Sequence, residues 1–319
     1  MPVKTNLNIS PYYDDFDKTD NFYRMLFKPG FPVQARELTG LQSILQNQVE
    51  QFGSHIFKEG SMVIPGGVTY DNLYESVKVN PDHLGIDITV YLDALIKSAD
   101  KGDGVKGGAR IIGQESKVEA KIVNYVLPPT DGVEEITIFV KYTASGTDGS
   151  STPFTNGETL ALLDNVTYGN TTLNAGDTVL TTTSTTACST GSAVHLDAGV
   201  YFLRGSFVDV PKTSIVLEPY SNVPSYRVGL DILEEIVTSN DDASLNDNAK
   251  GFTNYAAPGA DRFKITVKLA KKALNDFDDT NFIELVKVAN GELFKLQDTS
   301  TYNEIRKYFA KRTFDESGN

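Results

Sequence analysis

EEITIFVKYTA, residues 134–144, has the alternation of a β-strand and decides the fold class. Successive side chains of a strand point to opposite faces of the sheet, and one face here receives Ile136, Ile138 and Val140. Strand-like runs continue on both sides: SMVIPGGVTY, YESVKVN, ITVYLDALI, ARIIGQ and KVEAKIVNYVL before it, and GVYFLRGSFVDV, TSIVLEP, SYRVGLDILEEIVT and RFKITVKLAKKAL after it. The pattern predicts a mainly β protein with a few helices, built as two or more small β-sandwich-like domains.

One segment near the N-terminus has helical periodicity instead. Residues 33–52 read VQARELTGLQSILQNQVEQF and contain a seam with three-four spacing: Leu38, Leu41, Leu45, Gln48 and Phe52. A polar residue within an apolar seam can fix the register of a coiled coil. The helix is therefore predicted either to oligomerise around a symmetry axis or to pack on its own domain as an amphipathic helix. Gly53 is predicted to end it.

The segment before this helix is a candidate docking arm. Pro11, Pro29 and Pro32 prevent a long helix over residues 1–34. Its apolar content is too high for a solvated tail, so it needs its own core or a neighbouring chain to cover it. Together with the helix seam, its aromatic side chains form the predicted interface: Tyr12, Tyr13, Phe16, Phe22, Tyr23, Phe27 and Phe31.

The composition divides the chain into four regions. Residues 1–59 hold the arm and the oligomerisation helix, and residues 60–144 a first β domain. Residues 145–195, rich in Thr, Ser and Gly, form an insertion or a loop-rich β subdomain. Residues 196–319 form a second β domain with a C-terminal helix, and the polar ending suggests continuation in a longer chain.

The charge and the cysteine count narrow the function classes. A net charge of -13 argues against a nucleic-acid partner, because a phosphate backbone would repel such a surface. Cys188 is the single cysteine of the sequence, which excludes an internal disulfide and a cysteine-based metal cluster. No apolar run reaches the roughly 20 residues that cross a bilayer, so membrane insertion is not expected.

The motifs that could carry chemistry are weak. His55, His83 and His195 lie far apart without the spacing of metal ligands. Residues 102–107, GDGVKG, match a dinucleotide-binding pattern, but the following ARIIGQ is strand-like where that motif needs a helix. We interpret the motif as a β-turn connection and expect no cofactor.

Two carboxylate pairs are candidates for a glycosidase site. Asp241 with Asp242, or Asp278 with Asp279, could supply an acid and a base. No aromatic sugar platform is evident near them, and the sequence contains no Trp. The acidic residues at positions 14–20 also lack the glycine and the closing glutamate of a calcium loop. We therefore expect no enzyme activity and no bound metal.

Two long blocks carry a family resemblance. The first runs from PYYDDFD at residues 11–17 to Gly67, and the second, residues 199–265, contains GVYFLRGSFVDV, PSYRVGLDILEEIVT and NYAAPGADRFKI. They resemble phage virion proteins described as tail-fibre, baseplate or structural proteins, frequent in T4-like phages of marine and cyanobacterial hosts. The resemblance implies a place in the virion tail after synthesis in the host cytoplasm, with other tail proteins as partners, and offers no catalytic residues to transfer. The Thr-rich region at 145–195 is expected to be the main departure from the family.

Three functions follow as hypotheses. The first is a structural or adaptor component of a baseplate or tail-fibre root that attaches by its N-terminal region and oligomerises, with a trimer favoured by the threefold character of tail fibres. The second is a receptor-binding protein whose loops at residues 145–195 contact host surface glycans. The third is a tailspike depolymerase that uses one of the carboxylate pairs.

Overall fold

The computed structural model describes residues 3–97, 108–128, 130, 133, 135–147, 149, 152–297 and 302–317. Over these residues strands dominate, and the predicted mainly β class with few helices is confirmed. The α-helices of the described ranges are α1 (Ala35–Ile56), α2 (Thr89–Lys97) and α3 (Asn303–Ser317). Among these residues, no helix has the length and apolar character needed to cross a membrane.

The strands follow the alternating runs of the sequence. In chain order they are β1 (Met62–Ile64), β2 (Val68–Lys78), β3 (Asp82–His83), β4 (Ile86–Asp87), β5 (Arg110–Gly113), β6 (Glu119–Val126), β7 (Thr137–Ala144), β8 (Thr159–Leu162), β9 (Val166–Tyr168), β10 (Thr171–Leu173), β11 (Thr178–Thr181), β12 (Cys188–Leu196), β13 (Gly199–Leu203), β14 (Ser206–Val210), β15 (Thr213–Glu218), β16 (Tyr226–Val237), β17 (Arg262–Ala273), β18 (Phe282–Ala289) and β19 (Glu292–Leu296).

The largest sheet has eight strands in the order β11-β8-β5-β6-β7-β2-β12-β15. Every pair of neighbours in it is antiparallel. Its strands come from residues 60–144, 145–195 and 196–319 alike, so the predicted boundaries between these regions fall within one sheet. The Thr-rich region contributes β8, β11 and most of β12 to it.

Beside the two-stranded sheets β9-β10 and β3-β4, two further sheets of four and three strands belong to the body. The first has the order β17-β16-β18-β19, and the second has the order β1-β13-β14. One apolar core lies between α2 and the strands of the large sheet, with Leu92 and Ile138 among its fully buried side chains. A second core unites β1, β12, β13, β16 and β18 through Met62, Tyr201 and Leu230, so that the three sheets meet in it.

The structure contradicts one predicted strand. ITVYLDALI, residues 88–96, forms helix α2 instead, because its buried side chains Tyr91, Leu92 and Leu95 have helical spacing. Asp87 accepts hydrogen bonds from the backbone N–H of Thr89 at 2.9 Å and from its hydroxyl at 2.7 Å, which stabilises the first turn.

Helix α1 is confirmed as a helix, but its predicted end is wrong. It continues through Gly53 to Ile56, and the N–H of Phe57 donates to the Gly53 carbonyl at 2.7 Å. A β-carbon at Gly53 would lie 2.4 Å from the ring of Phe202. The glycine is therefore required for close packing and does not terminate the helix.

A buried carboxylate holds the start of the Thr-rich region. Glu158 is 1% exposed, and its oxygens accept hydrogen bonds from the N–H groups of Thr155 at 2.6 Å and of Glu115 and Ser116 at 3.0 Å. The hydroxyl of Ser116 donates a fourth hydrogen bond at 2.9 Å. These contacts tie the loop between β5 and β6 to the strand that begins at Thr159.

We predict that Glu158→Ala lowers the free energy of unfolding by about 3 kcal/mol, because buried donors lose a charged acceptor. Urea denaturation followed by circular dichroism measures the change. Glu292→Ala, which removes an exposed carboxylate from β19, is the matched control and should change stability by less than about 0.5 kcal/mol. Equal stabilities for the two variants would contradict this role of Glu158.

Candidate interaction surface

Helix α1 packs on the body through its small and polar residues. Its buried residues are Gly40, Ser43, Ile44, Asn47 and Gly53, and Ile44 is the one large apolar side chain among them. Gly40 lies against the Met25 side chain, and Gly53 lies against Phe202. This face brings the helix close to the body but buries little apolar area.

Several large apolar residues of α1 lie instead on its exposed side. Leu38, Leu45 and Phe52, each seven residues from the next, are 51%, 59% and 67% exposed. The buried Gly40 comes two residues after Leu38, and the buried Asn47 two residues after Leu45. Residues two positions apart on an α-helix point about 200° apart, so they lie on nearly opposite sides of it. Val49 and Gln48 are also exposed, whereas Leu41 is half-buried. The predicted seam therefore faces away from the body, and we call Leu38, Leu45, Gln48, Val49 and Phe52 the seam face.

The first part of the arm is docked on the body. The carboxylate of Glu234 accepts hydrogen bonds from the N–H groups of Lys4 and Thr5 and from the Thr5 hydroxyl, at 2.8 to 3.1 Å. The Tyr12 hydroxyl donates to Asp261 at 2.7 Å. Buried Asp14 accepts a hydrogen bond from the Ser43 hydroxyl of α1. The arm thus connects the four-stranded sheet to the helix.

The second part of the arm leaves its apolar side chains in solvent. Phe22, Tyr23, Leu26 and Phe31 are 66% to 77% exposed, and Phe27 is 49% exposed. Tyr13 is exposed as well, whereas Tyr12 and Phe16 are half-buried. Nine of the twelve predicted interface side chains are therefore exposed on this chain: Tyr13, Phe22, Tyr23, Phe27, Phe31, Leu38, Leu45, Gln48 and Phe52.

Helix α3 adds apolar surface that was only partly expected. It contacts α1, and Tyr302, the residue before it, bridges to Phe57 with ring centroids 5.7 Å apart. Ile305, Tyr308, Phe309 and Phe314 are each more than half exposed. The sequence predicted a C-terminal helix within residues 196–319, and the structure places it at Asn303–Ser317.

The histidines and the cysteine lie in separate places. The His83 ring is hydrogen-bonded to the hydroxyls of Thr181 and Thr178, His55 is exposed in the last turn of α1, and His195 Nε2 lies 3.9 Å from the Asp71 carboxylate. Burial lowers the pKa of both His83 and His195. For the Cys188 thiol, burial has the opposite effect and raises the pKa, because the charged form is the thiolate. This disfavours the thiolate that a nucleophile needs.

The four carboxylates weighed for glycosidase chemistry are engaged in turns or an ion pair. Asp241 accepts from the N–H and hydroxyl of Thr238, and Asp278 from the N–H and hydroxyl of Thr280. Asp242 accepts from the N–H of Ser244. Asp279 pairs with Arg227 at 2.7 Å. These hydrogen bonds hold the pKa of each carboxyl below its ordinary value, whereas a general acid needs a raised one.

The dinucleotide-binding pattern and the possible metal ligands remain to be located. The GDGVKG motif at residues 102–107 lies outside the described residues. In the part of the chain that is described, no three His, Cys, Asp or Glu side chains are grouped as metal ligands would be.

Comparison with protein families places the chain. It matches the family described as Domain of unknown function (DUF4815) over residues 10–105 and 145–319. The chain belongs to this family. The expected departure at residues 145–195 is wrong, because the match includes that region and instead leaves out 106–144, which contains the three adjacent strands β5, β6 and β7. No curated protein and no solved structure matches the chain.

The residues by which α1 approaches the body were not predicted from the sequence. Gly40, Ser43 and Asn47 have the same three-four spacing as the apolar seam, and this was the available signal. It was not used because apolar spacing normally marks the buried side of a helix. The docking residues Glu234 and Asp261 had no local signal, since their partners are more than 200 residues away in sequence.

We predict that Glu234→Gln releases the beginning of the arm. Burial raises the pKa of the Glu234 carboxyl, but the hydrogen bonds from Lys4 and Thr5 and the charge of Arg204 together lower it by more. Hydrogen exchange at residues 3–14, measured by mass spectrometry, should become at least about tenfold faster in the variant, a change of roughly 1.4 kcal/mol in the opening equilibrium. Glu235→Gln, on the neighbouring residue that pairs with Lys264, is the matched control and should leave this exchange unchanged.

The same contact should respond to acid in the wild-type protein. Because the folded pKa of Glu234 lies below the ordinary 4.5, the contact is fully formed above that pH and is lost as the pH falls through the folded pKa. Exchange at residues 3–14, corrected for the intrinsic pH dependence, should therefore rise at acidic pH in the wild type but not in Glu234→Gln. An equal rise in both proteins would contradict this assignment.

Proposed function

We propose that the chain is a non-enzymatic structural component of a bacteriophage tail, at the baseplate or the tail-fibre root. It oligomerises through the seam face of α1 and attaches to other tail proteins through the exposed part of its arm. The observation that carries the proposal is the orientation of α1, which turns Leu38, Leu45 and Phe52 towards solvent.

The energetics favour a covered seam face. Burying a fully exposed Leu or Phe side chain contributes about 1.5–3 kcal/mol. With about half of each side chain still exposed, the apolar residues of the seam face leave roughly 1 kcal/mol per residue unrealised in an isolated chain. Residues 22–33 of the arm add a second exposed apolar stretch. Large exposed apolar surfaces mark contacts with other proteins.

The assignment to a virion rests on the resemblance of residues 11–67 and 199–265 to phage virion proteins. The non-enzymatic role is supported by the hydrogen bonds that engage all four candidate carboxylates. Cofactors, nucleic acid and membrane insertion are not part of the proposal. The threefold character of tail fibres favours three copies, and the experiment below measures their number.

We predict that Leu38→Glu combined with Leu45→Glu yields a monomer with a mass of 34.9 kDa. Two carboxylates on the seam face would have to be desolvated when copies associate. Size-exclusion chromatography with light scattering measures the mass, and circular dichroism checks that the body remains folded. Leu73→Glu on β2, where the leucine is 66% exposed, is the matched control and should retain the wild-type mass.

Two results would contradict the proposed function. One is a wild-type chain that stays monomeric at about 100 µM, which is far above the nanomolar to micromolar range of stable association. The other is a double variant with unchanged mass. Location of the chain in the particle is tested separately, by electron microscopy of a virion that carries a labelled copy.

A further inference from the structure

The acidic part of the arm and the start of helix α3 lie at opposite ends of α1. The arm contacts the N-terminal half of the helix, where Asp15 pairs with Arg36 at 2.9 Å and Met25 lies against Gly40. Helix α3 begins beside Phe57, just past the C-terminal end of α1. Since an α-helix rises about 1.5 Å per residue, the level of Gly40 is roughly 25 Å from that of Phe57.

These two elements have opposite charges on an acidic protein. Residues 14–20 hold four aspartates, Asp14, Asp15, Asp17 and Asp20, against one lysine. Residues 305–314 of α3 hold four basic residues and no acidic one: Arg306, Lys307, Lys311 and Arg312. Glu304, Asp315 and Glu316 flank this segment, and Arg312 pairs with Glu316 at 2.7 Å. Since the whole chain has a net charge of -13, this basic segment is an unusual local feature of it.

Helix α3 has little support within its own chain. Every residue described from 305 to 317 is exposed. A helix of 15 residues is marginal in water unless another surface covers it. Its exposed aromatic side chains could pack against the exposed aromatic side chains of the arm, which include Phe22, Tyr23 and Phe31.

We infer that two copies of this chain pair through antiparallel α1 helices, so that α3 of each copy contacts the acidic and aromatic arm of the other. This inference rests on the proposed function and names the partner of the seam face. Leu45 lies at the centre of the seam, with Leu38 and Phe52 each seven residues from it. A two-fold axis near Leu45 therefore brings Leu38 of one copy to Phe52 of the other.

The charges favour this arrangement over a parallel one. Antiparallel helices place the basic α3 at the level of the neighbouring acidic arm, which is complementary. Parallel helices, as in a threefold fibre stem, place the basic residues of all copies together at one end and the aspartates together at the other. Like charges at the same level oppose association. The pairing thus has two-fold symmetry, in contrast to the trimer expected from tail fibres.

Disulfide trapping distinguishes the two orientations. Leu38→Cys and Phe52→Cys chains are oxidised separately and as a mixture, and Leu45→Cys is oxidised alone. Antiparallel pairing predicts a covalent dimer from the mixture and from Leu45→Cys, but none from either of the other chains alone. The wild type, which retains Cys188, is the control for adventitious bonds.

Each outcome of this experiment is decisive. Covalent dimers from Leu38→Cys alone and Phe52→Cys alone would establish a parallel arrangement and overturn the inference, while the proposed function would stand. A monomeric wild type, with no dimer from Leu45→Cys, would overturn both. An oligomeric wild type whose Leu45→Cys variant gives no dimer would show that copies associate elsewhere, which also overturns the inference.

Charge reversal tests the contact between α3 and the arm. Lys307→Glu with Lys311→Glu should weaken association roughly tenfold at low salt, as should Asp17→Lys with Asp20→Lys, and the combination of all four should restore it. Lys268→Glu, at an exposed lysine of β17, is the control and should leave the dissociation constant within about twofold. Sedimentation measures the constants, and a combined variant as weak as either double variant would overturn the contact.

Discussion

A β-carbon at Gly53 would come within 2.4 Å of the Phe202 ring, and this close approach determines how α1 lies on the body. Since the helix is held through Gly40, Ser43, Asn47 and Gly53, Leu38 and Leu45 cannot also face inwards. Residues two positions apart on a helix point in nearly opposite directions. The surface that the chain offers to partners is therefore a consequence of packing by small residues.

The two parts of the arm have different physical roles: the first is docked on the body, and the second is exposed. The first part makes hydrogen bonds to Glu234, Asp261 and Ser43, whose positions are fixed by β16, the start of β17 and α1. The second part follows from this docked segment and leaves its aromatic side chains exposed. An exposed stretch that is docked at one end loses less conformational freedom on binding than a free tail would. The polar contacts that dock the first part of the arm thus favour the binding of another chain to the exposed apolar side chains of the second part.

Much of the fold could be predicted from local pattern, and the failures have local causes. The alternation of residues 134–144 identified β7 correctly as a strand, although its burial does not alternate, because both faces of Thr137–Val140 are covered. The run at 88–96 was misjudged because a short apolar segment fits both periods, and the helical spacing of Tyr91, Leu92 and Leu95 was decisive only once their burial was known. The spacing of residues in α1 predicted the seam, but it could not predict that the seam is exposed. That exposure follows from the contact of Gly53 with Phe202, which is distant in sequence, and from the contact of Gly40 with Met25, which lies outside regular secondary structure.

Residues 106–144 show how a region outside the family match can still be required by the fold. The family match leaves these residues out, yet β5, β6 and β7 lie between β8 and β2 in the eight-stranded sheet. Removing three central strands would divide the sheet, leave one edge of β8 and one edge of β2 unpaired, and take the buried side chains of Ile111, Ile122 and Ile138 out of the core. A buried antiparallel strand tolerates many apolar sequences as long as the alternation and volume are kept. This region can therefore differ from the family pattern in sequence while its strands remain necessary to the sheet, whereas α1, whose glycines are fixed by contact, lies within the matched residues.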